Sequence, residues 1–375
     1  METKDLQLQE ILNKYPHAGI TVLHTTKDAV DMCVCLGKQD IEDDIDTTPD
    51  TIYRIASISK IIVALGAMKL VEQGKLDINE DVSKYLGFTL RNPNHPDKKI
   101  TLEQIMTQSS SITDGFDDPH RGYDAVNGPS IYVPLKEILT NPEYEYYNPK
   151  SFLDAAPGEK WLYSNFGCGI LACIIEKTAG KLFTDYIKEI LLDPLGIDGG
   201  FRAEQVEKKE KIASLYDFND TGYKKLRTKD QFLKYMFPIY PIGDNFRGPA
   251  GGLFISPMDL SKIARMMMNK GTYEGKEIFK EETILEMEKV HYDGYIYDKQ
   301  YKAKGLQLCH LPFYTKEPLL GHFGTAYGLK SFMFYNRDNG YIFMCNGSNY
   351  KQDPDKNISY LQNDVFEYLI KKYEK

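Results

Sequence analysis

Segments with the composition of β-strands lie at both ends of this 375-residue chain, and helix-forming segments occupy its middle. Near the N-terminus, 19–26 (GITVLHTT) and 29–37 (AVDMCVCLG) are apolar and β-branched, and the break between them predicts a hairpin. Near the C-terminus, LKSFMFYN, the turn RDNG and YIFMCNGS predict a second hairpin over 329–348. The simplest arrangement therefore brings the two ends of the chain together in one sheet.

The helical patterns carry recognisable start and stop signals. The segment after Ser57 is periodic and apolar as far as Gly74, and Thr101 with Gln104 forms a capping-box pattern. Ser256 followed by a proline marks another helix start. Helices are predicted over 57–73, from 101, over 163–178, over 256–270 and at both termini.

This order of elements predicts an α+β fold. We expect one antiparallel sheet built from both chain ends and flanked by the terminal helices, with an inserted all-helical lobe. Residues 1–56 and 247–375 would form the lobe with the sheet, and 57–246 the mainly helical lobe. A cleft between two lobes is where a site is expected.

Charge and composition exclude two classes of function. The chain has 46 basic and 54 acidic side chains, a net charge of −8, which argues against nucleic-acid binding. No stretch approaches the roughly 20 apolar residues that a membrane span requires. The first residues, METKDLQLQEILNKYPHAG, predict an amphipathic helix rather than a secretory signal.

Cysteine and histidine patterns give no sign of a metal centre. The six cysteines form no C-x-x-C pair and fall mostly in apolar stretches, so we interpret them as buried free thiols and expect a cytoplasmic protein. None of the seven histidines lies in an H-E-x-x-H or comparable spacing. We predict no metal and no cofactor.

Ser57 and Lys60 have the spacing of a nucleophile and its base. The strand-like TIYRIA leads directly into the helix that carries both residues, so the Ser57 N–H would point outward from a helix N-terminus, where it suits an oxyanion. Lys60 lies one turn further on the same face, within reach of the Ser57 hydroxyl. The alternative, a serine cap beside a solvated lysine, stays open on this motif alone, and Ser348 to Lys351 repeat the spacing without a following helix.

Further motifs elsewhere in the chain support a catalytic interpretation of Ser57 and Lys60. Tyr163-Ser164-Asn165 stands at a second loop-to-helix junction, and His322-Phe323-Gly324-Thr325 opens a predicted strand. Together with YRIASISK, PGEKWLYSN, DPLG, PAGGL and GHFG, in that order, the sequence resembles the serine β-lactamase and penicillin-binding-protein superfamily. The resemblance is to the class C β-lactamase-like branch, which includes esterases, D-aminopeptidases and D-alanyl-D-alanine peptidases, and it covers nearly the whole chain.

The resemblance implies roles for the motif residues in catalysis. Ser57 would attack the substrate carbonyl and carry the acyl group. Lys60 and Tyr163 would share proton transfer, and Tyr163 would help to activate the hydrolytic water. The backbone N–H groups of Ser57 and Thr325 would form the oxyanion hole.

The resemblance also implies substrate contacts. Asn165 would hydrogen-bond the side-chain amide of the substrate, His322 would stand where relatives carry Lys or His, and Gly324 would let the substrate approach the strand. Two features depart from many relatives: Phe323 replaces a hydroxyl-bearing residue, and His322 replaces a permanent cation. We expect both to favour an ester or neutral amide over a β-lactam or a free C-terminal carboxylate.

The sequence alone leaves several hypotheses about the function open. The leading prediction is a serine hydrolase acting on a small-molecule ester, amide or short peptide. A D-amino-acid-specific peptidase or weak β-lactamase, an acyltransferase, and a catalytically silent binding or sensory module are the alternatives. The loop 114–124 is interpreted as a solvated rim of the cleft without chemistry. Neither the natural substrate nor the oligomeric state follows from the sequence.

Overall fold

A computed structural model describes residues 1–115, 118, 120–126, 131–234, 238–294, 303–312, 314–348, 351–353, 356 and 358–374. The helices are α1 (Leu6–Leu12), α2 (Ser59–Glu72), α3 (Ser83–Leu86), α4 (Leu102–Thr107), α5 (Gly122–Val126), α6 (Leu135–Thr140), α7 (Asn165–Ala179), α8 (Phe183–Ile187), α9 (Lys229–Lys234), α10 (Pro257–Met268), α11 (Glu281–Glu288) and α12 (Tyr360–Tyr373). The strands are β1 (Gly19–Thr26), β2 (Val30–Asp40), β3 (Ile45–Asp46), β4 (Tyr53–Arg54), β5 (Leu215–Asn219), β6 (Gly222–Arg227), β7 (Phe254–Ile255), β8 (Thr272–Tyr273), β9 (Lys276–Glu277), β10 (Ala303–Lys304), β11 (Cys309–Leu311), β12 (Leu319–Ala326), β13 (Leu329–Tyr335), β14 (Asn339–Asn346), β15 (Gln352–Asp353) and β16 (Ile358–Ser359).

An eight-stranded antiparallel sheet joins the two ends of the chain. Its strand order is β10-β11-β12-β13-β14-β1-β2-β3. The N-terminal strand β1 pairs with the C-terminal strand β14 along its whole length, from Gly19 opposite Asn346 to Thr26 opposite Asn339. The predicted sheet from both chain ends, and both predicted hairpins, are confirmed.

Helices cover both faces of this sheet because its strands are apolar on both sides. Ile20 and Val22 of β1 pack with the terminal helices α1 and α12 in one buried cluster. Leu23, which points to the opposite face, belongs to the larger cluster that contains α2, α7 and α10. The terminal helices thus flank the sheet as predicted, and α10 packs against its other face.

The helices near the site follow their capping signals. Helix α7 begins at Asn165 because the Ser164 side chain accepts the N–H of Gly167, and it ends at Gly180, which has a φ of 70°. Helix α2 is buried on nearly every side. The capping box at Thr101 is present, and the predicted C-terminal helix α12 begins at Tyr360, where Ser359 provides the cap.

The inserted region is not purely helical. A hairpin, β5–β6, lies within it, where Asn219 to Gly222 supply the turn. This hairpin contacts the main sheet, because Asn346 of β14 accepts from the Tyr216 N–H and donates to the Ser214 carbonyl. The division into lobes at 56 and 246 stays a prediction.

Two further predictions concern the cysteines and membrane-spanning segments. The six cysteines, all in the described part, form no disulfide, and all but Cys35 are buried. Over the same part of the chain, every helix is too short or too polar to cross a membrane.

Candidate active site

A strained turn presents Ser57. Residues Ala56–Ile58 form a 3-10 turn just before α2, and Ala56 has a φ of 54°, a left-handed conformation that alanine rarely adopts. The buried Ser59 hydroxyl holds this turn: it donates to the Ala56 carbonyl (2.6 Å) and accepts the N–H of Leu253 (3.1 Å). The turn leaves Ser57 half-buried at the edge of a cleft.

Lys60 is fully buried and directed at Ser57. Its Nζ lies 3.1 Å from Ser57 Oγ, 2.8 Å from Asn165 Oδ1 and 2.8 Å from the carbonyl oxygen of Ala250. Three acceptors match the three N–H groups of an ammonium. A neutral amine would donate to Asn165 and Ala250 and accept the Ser57 proton. The solvated-lysine alternative is wrong because Lys60 has no exposed surface.

Tyr163 reaches the same hydroxyl from a distant part of the chain. Its phenol oxygen lies 2.7 Å from Ser57 Oγ, and its ring centre is 4.8 Å from Lys60 Nζ. The Ser57 hydroxyl is therefore shared by an amine and a phenol. Both groups have the reach that a proton acceptor for serine needs.

Asp114 organises this arrangement, and the sequence prediction for it was wrong. Instead of lying in a solvated loop, its side chain is fully buried at the start of α7. Its Oδ1 accepts from Ser164 Oγ (3.1 Å) and the Phe166 N–H (2.8 Å), and its Oδ2 accepts from the Asn165 N–H (3.1 Å) and Nδ2 (2.8 Å). Because Nδ2 of Asn165 faces Asp114, its Oδ1 faces Lys60.

His322 contributes a neutral ring with an unused acceptor. Its Nδ1 donates to the Phe323 carbonyl, and its buried Nε2 has no hydrogen-bond partner in the described part of the chain. Burial lowers the pKa of His322 well below its ordinary value, and the charges of Lys304 and Lys60 lower it further. The ring centre lies 6.2 Å from that of Tyr163. The site thus has no imidazolium at neutral pH.

Gly324 is required by packing of the strand against the turn. A Cβ at this position would lie 2.2 Å from Ser331 Oγ and 2.6 Å from the Ile55 carbonyl oxygen. This contact brings β12, and with it Thr325, beside the turn that carries Ser57. The oxyanion hole formed by the N–H groups of Ser57 and Thr325 stays a prediction, as does the approach of substrate to Gly324.

A cleft of about 540 Å³ opens beside these residues. It is bounded by β12, the loop before α7 and the loop 248–251. Its lining includes Ser57, Tyr163, Asn165, His322, Phe323 and Thr325. Phe323 packs on Phe366 of α12 and offers no hydrogen bond to a ligand, as predicted from its side chain.

The structure therefore gathers the sequence-predicted residues at one cleft and adds Ser59, Asp114 and Ala250 behind them. A serine hydroxyl shared by a buried amine and a phenol, beside an antiparallel sheet, is an arrangement suited to acyl transfer through serine. The fold and the site together define a protein of the serine β-lactamase and penicillin-binding-protein type.

Comparison with known families agrees with this class. The sequence model described as Beta-lactamase matches residues 8–362, so the chain belongs to the Beta-lactamase family. The chain is 28% identical over 192 residues to Protein flp of Staphylococcus aureus (strain N315), which is 51% of this chain and 36% of that protein. The match thus spans only about a third of the length of that curated relative.

Two solved structures share the fold. The octameric penicillin-binding protein homologue from Pyrococcus abyssi matches with a TM-score of 0.72 and 25% identity, over 98% of this chain and 82% of that chain. The D-amino acid amidase from Ochrobactrum anthropi SV3, in complex with L-phenylalanine, also matches with a TM-score of 0.72, at 17% identity over 97% of this chain and 96% of the other.

Proposed function

We propose that the protein is a serine hydrolase that forms an acyl-enzyme on Ser57 and cleaves esters or small amides. One observation carries the proposal: Ser57 Oγ lies within hydrogen-bond distance of both Lys60 Nζ and Tyr163 Oη. A serine hydroxyl is a weak nucleophile unless a neighbouring base takes its proton. A silent binding module has no need of this pair, or of the strained turn that presents the serine.

The contacts support a specific order of events. Lys60 or Tyr163, both of which contact Ser57 Oγ, accepts the Ser57 proton while Oγ attacks the carbonyl carbon. The developing negative charge on the carbonyl oxygen would be held by the N–H groups of Ser57 and Thr325. The proton then passes to the leaving group, and a water activated by Tyr163 releases the acyl group from Ser57.

Asn165 and Ala250 keep Lys60 in place during these steps. Their oxygens accept two of its hydrogen bonds, so the third position on Nζ is directed at Ser57. Only one N–H of Asn165 Nδ2 is used by Asp114. The other has no acceptor among the described residues and can donate to a substrate oxygen, which supports the predicted substrate contact.

The neutral His322 supports an ester or neutral amide as the bond cleaved. At these two positions the uncharged imidazole of His322 supplies no cation for a substrate carboxylate, and the Phe323 side chain supplies no hydroxyl. The fold of the D-amino acid amidase makes a D-amino acid amide a reasonable second substrate to test. The identity to that enzyme is too low to carry more than the fold.

A three-substrate panel tests the proposal. Purified protein and a Ser57→Ala variant are assayed at equal concentration with p-nitrophenyl butyrate, D-alanine p-nitroanilide and nitrocefin. We expect the ester to turn over fastest and the variant to lose at least about a hundredfold in kcat/KM. Faster turnover of nitrocefin would contradict the ester preference, and equal turnover by the variant would contradict the assignment of Ser57. Transesterified product on addition of an alcohol would indicate an acyltransferase.

A further inference from the structure

The turn between β12 and β13 carries an unusual residue for its conformation. Tyr327 and Gly328 form the two-residue loop, and both have a positive φ, 52° and 77°. Such turns favour Asn, Asp or Gly at the first position, because a bulky side chain is strained there. Tyr327 is nonetheless half exposed and lines the mouth of the cleft. Strain of this kind tends to occur where a side chain has a function.

Two arginines lie against this tyrosine. The guanidinium carbon of Arg54 is 4.8 Å from the Tyr327 ring centre, and that of Arg227 is 5.8 Å from it. They come from distant segments, since Arg54 precedes the Ser57 turn and Arg227 ends strand β6. Two guanidinium groups from distant segments of the chain therefore contact the same Tyr327 ring.

Neither guanidinium is paired with a carboxylate of a described residue. Arg54 Nε donates to the Gly251 carbonyl (3.1 Å), and Arg227 also lies over the Phe232 ring, but neither forms an ion pair within the described part of the chain. The cleft itself is lined by Arg54 and Lys330, and none of its described lining residues is an Asp or Glu. Arg54 lines the cleft, and Arg227 adds a second positive charge beside its lining residue Tyr327, so in a chain with a net charge of −8 this end of the cleft has a local excess of positive charge.

We propose that Arg54, Tyr327 and Arg227 form a subsite for an anionic oxygen group of the substrate, at the outer end of the cleft beyond Thr325. The inference rests on the proposed function, because it names a feature of the substrate of that same site. An anion held beside the Tyr327 ring would be attracted by both guanidinium charges and would accept N–H groups that have no acceptor among the described residues. Contact with the Tyr327 ring places both guanidiniums at this end of the cleft before a ligand binds.

This subsite differs in position from the carboxylate contact that the neutral His322 disfavours. His322 lies on β12 before Gly324, whereas Tyr327 lies beyond the end of that strand. The substrate would thus have an uncharged ester or amide at Ser57 and a carboxylate or phosphate several atoms away. The anion can belong to the acyl part or to the leaving group, and the experiment separates these cases.

Matched esters test the subsite. The neutral p-nitrophenyl butyrate is compared with p-nitrophenyl hemiglutarate, which carries a carboxylate on the acyl part, and with p-(butyryloxy)benzoate, which carries one on the leaving group. Each is assayed with the wild type, with Arg227→Gln and with Lys224→Gln. Lys224 is exposed on the same strand, so its variant matches the change of charge without touching Tyr327.

We expect one anionic ester to be preferred over the neutral ester at low ionic strength. The Arg227→Gln variant should lower the ratio of anionic to neutral kcat/KM about tenfold, and Lys224→Gln should leave it unchanged. Added salt should reduce the preference in the wild type. An equal ratio in Arg227→Gln and Lys224→Gln, or no preference for either anionic ester, would overturn the subsite.

A binding measurement separates this inference from the proposed function. The Ser57→Ala protein is titrated by calorimetry with both anionic esters, alone and combined with Arg227→Gln or Lys224→Gln. We expect one of the two anionic esters to bind, and its binding to be weakened about tenfold by Arg227→Gln but not by Lys224→Gln. This result would support the subsite even if the wild type hydrolyses none of the esters. Failure of both anionic esters to bind would overturn it even if the neutral ester is hydrolysed.

Discussion

Replacing Asp114 with asparagine tests the organisation of the site most informatively. The carboxylate accepts four hydrogen bonds, two on each oxygen, from Ser164, Phe166 and both nitrogens of Asn165. Asparagine has nearly the same shape but keeps only one acceptor oxygen. Its amide nitrogen would face two donors that then lose their partner in a fully buried position.

The size of the effect follows from these contacts. Each lost hydrogen bond to a charged group removes about 1.5–3 kcal/mol, so two remove about 3–6 kcal/mol. Removal of the negative charge from the α7 N-terminus adds up to about 1 kcal/mol. Domains are stable by about 5–15 kcal/mol in total, so Asp114→Asn should leave the protein much closer to unfolding.

Urea denaturation followed by circular dichroism measures this loss. The matched control is Asp124→Asn, which makes the same change at an exposed carboxylate ten residues along the chain. At urea concentrations where the variant is folded, labelling of Ser57 by a fluorophosphonate should also slow, because Asn165 no longer fixes Lys60. A free energy of unfolding for Asp114→Asn within 1 kcal/mol of the Asp124→Asn value would refute the reasoning.

Three further changes probe the site. Lys60→Met should slow fluorophosphonate labelling of Ser57 by about 10²–10⁴-fold without unfolding the protein, and labelling within tenfold of the wild type would contradict its role. Gly324→Ala places a Cβ 2.6 Å from the Ile55 carbonyl oxygen and should lower the free energy of unfolding by about 1–3 kcal/mol, so a wild-type urea midpoint would contradict the packing. His322 has a lowered pKa in the folded state, so its contribution to stability is complete above about pH 6.5 and is lost as the pH falls below it, by up to about 1.4 kcal/mol per pH unit. His322→Gln should remove that part of the pH dependence of urea unfolding, and an unchanged slope would count against it.

The sheet and most helices could be predicted because their signals are local. Apolar and aromatic residues on both sides of the RDNG turn predicted the C-terminal hairpin, and the capping residues at 101 and 256 predicted helix starts. The contact between Ser57 and Lys60 follows from helical spacing. The β5–β6 hairpin could have been found, since D-T-G separates two alternating segments there.

The features that could not be predicted depend on contacts between distant residues. Asp114 lies in a segment rich in acidic and turn residues, which predicts exposure. It is buried because the fold brings it into contact with Ser164, which is 50 residues away in the sequence. The left-handed Ala56 has no signal in the sequence, because alanine normally avoids that conformation. Gly324 was predicted for the approach of substrate, which stays a prediction, and the structure adds a packing reason that the sequence does not show: a Cβ there would lie against Ser331 Oγ and the Ile55 carbonyl oxygen.

The most direct test is to find which side chain carries the acyl group. The wild-type protein is treated with a fluorophosphonate and with p-nitrophenyl butyrate under acid quench, digested, and mapped by mass spectrometry. The account predicts a single adduct on Ser57, absent from Ser57→Ala and strongly reduced in Tyr163→Phe. An adduct on a different serine, or undiminished labelling of Ser57→Ala, would contradict it.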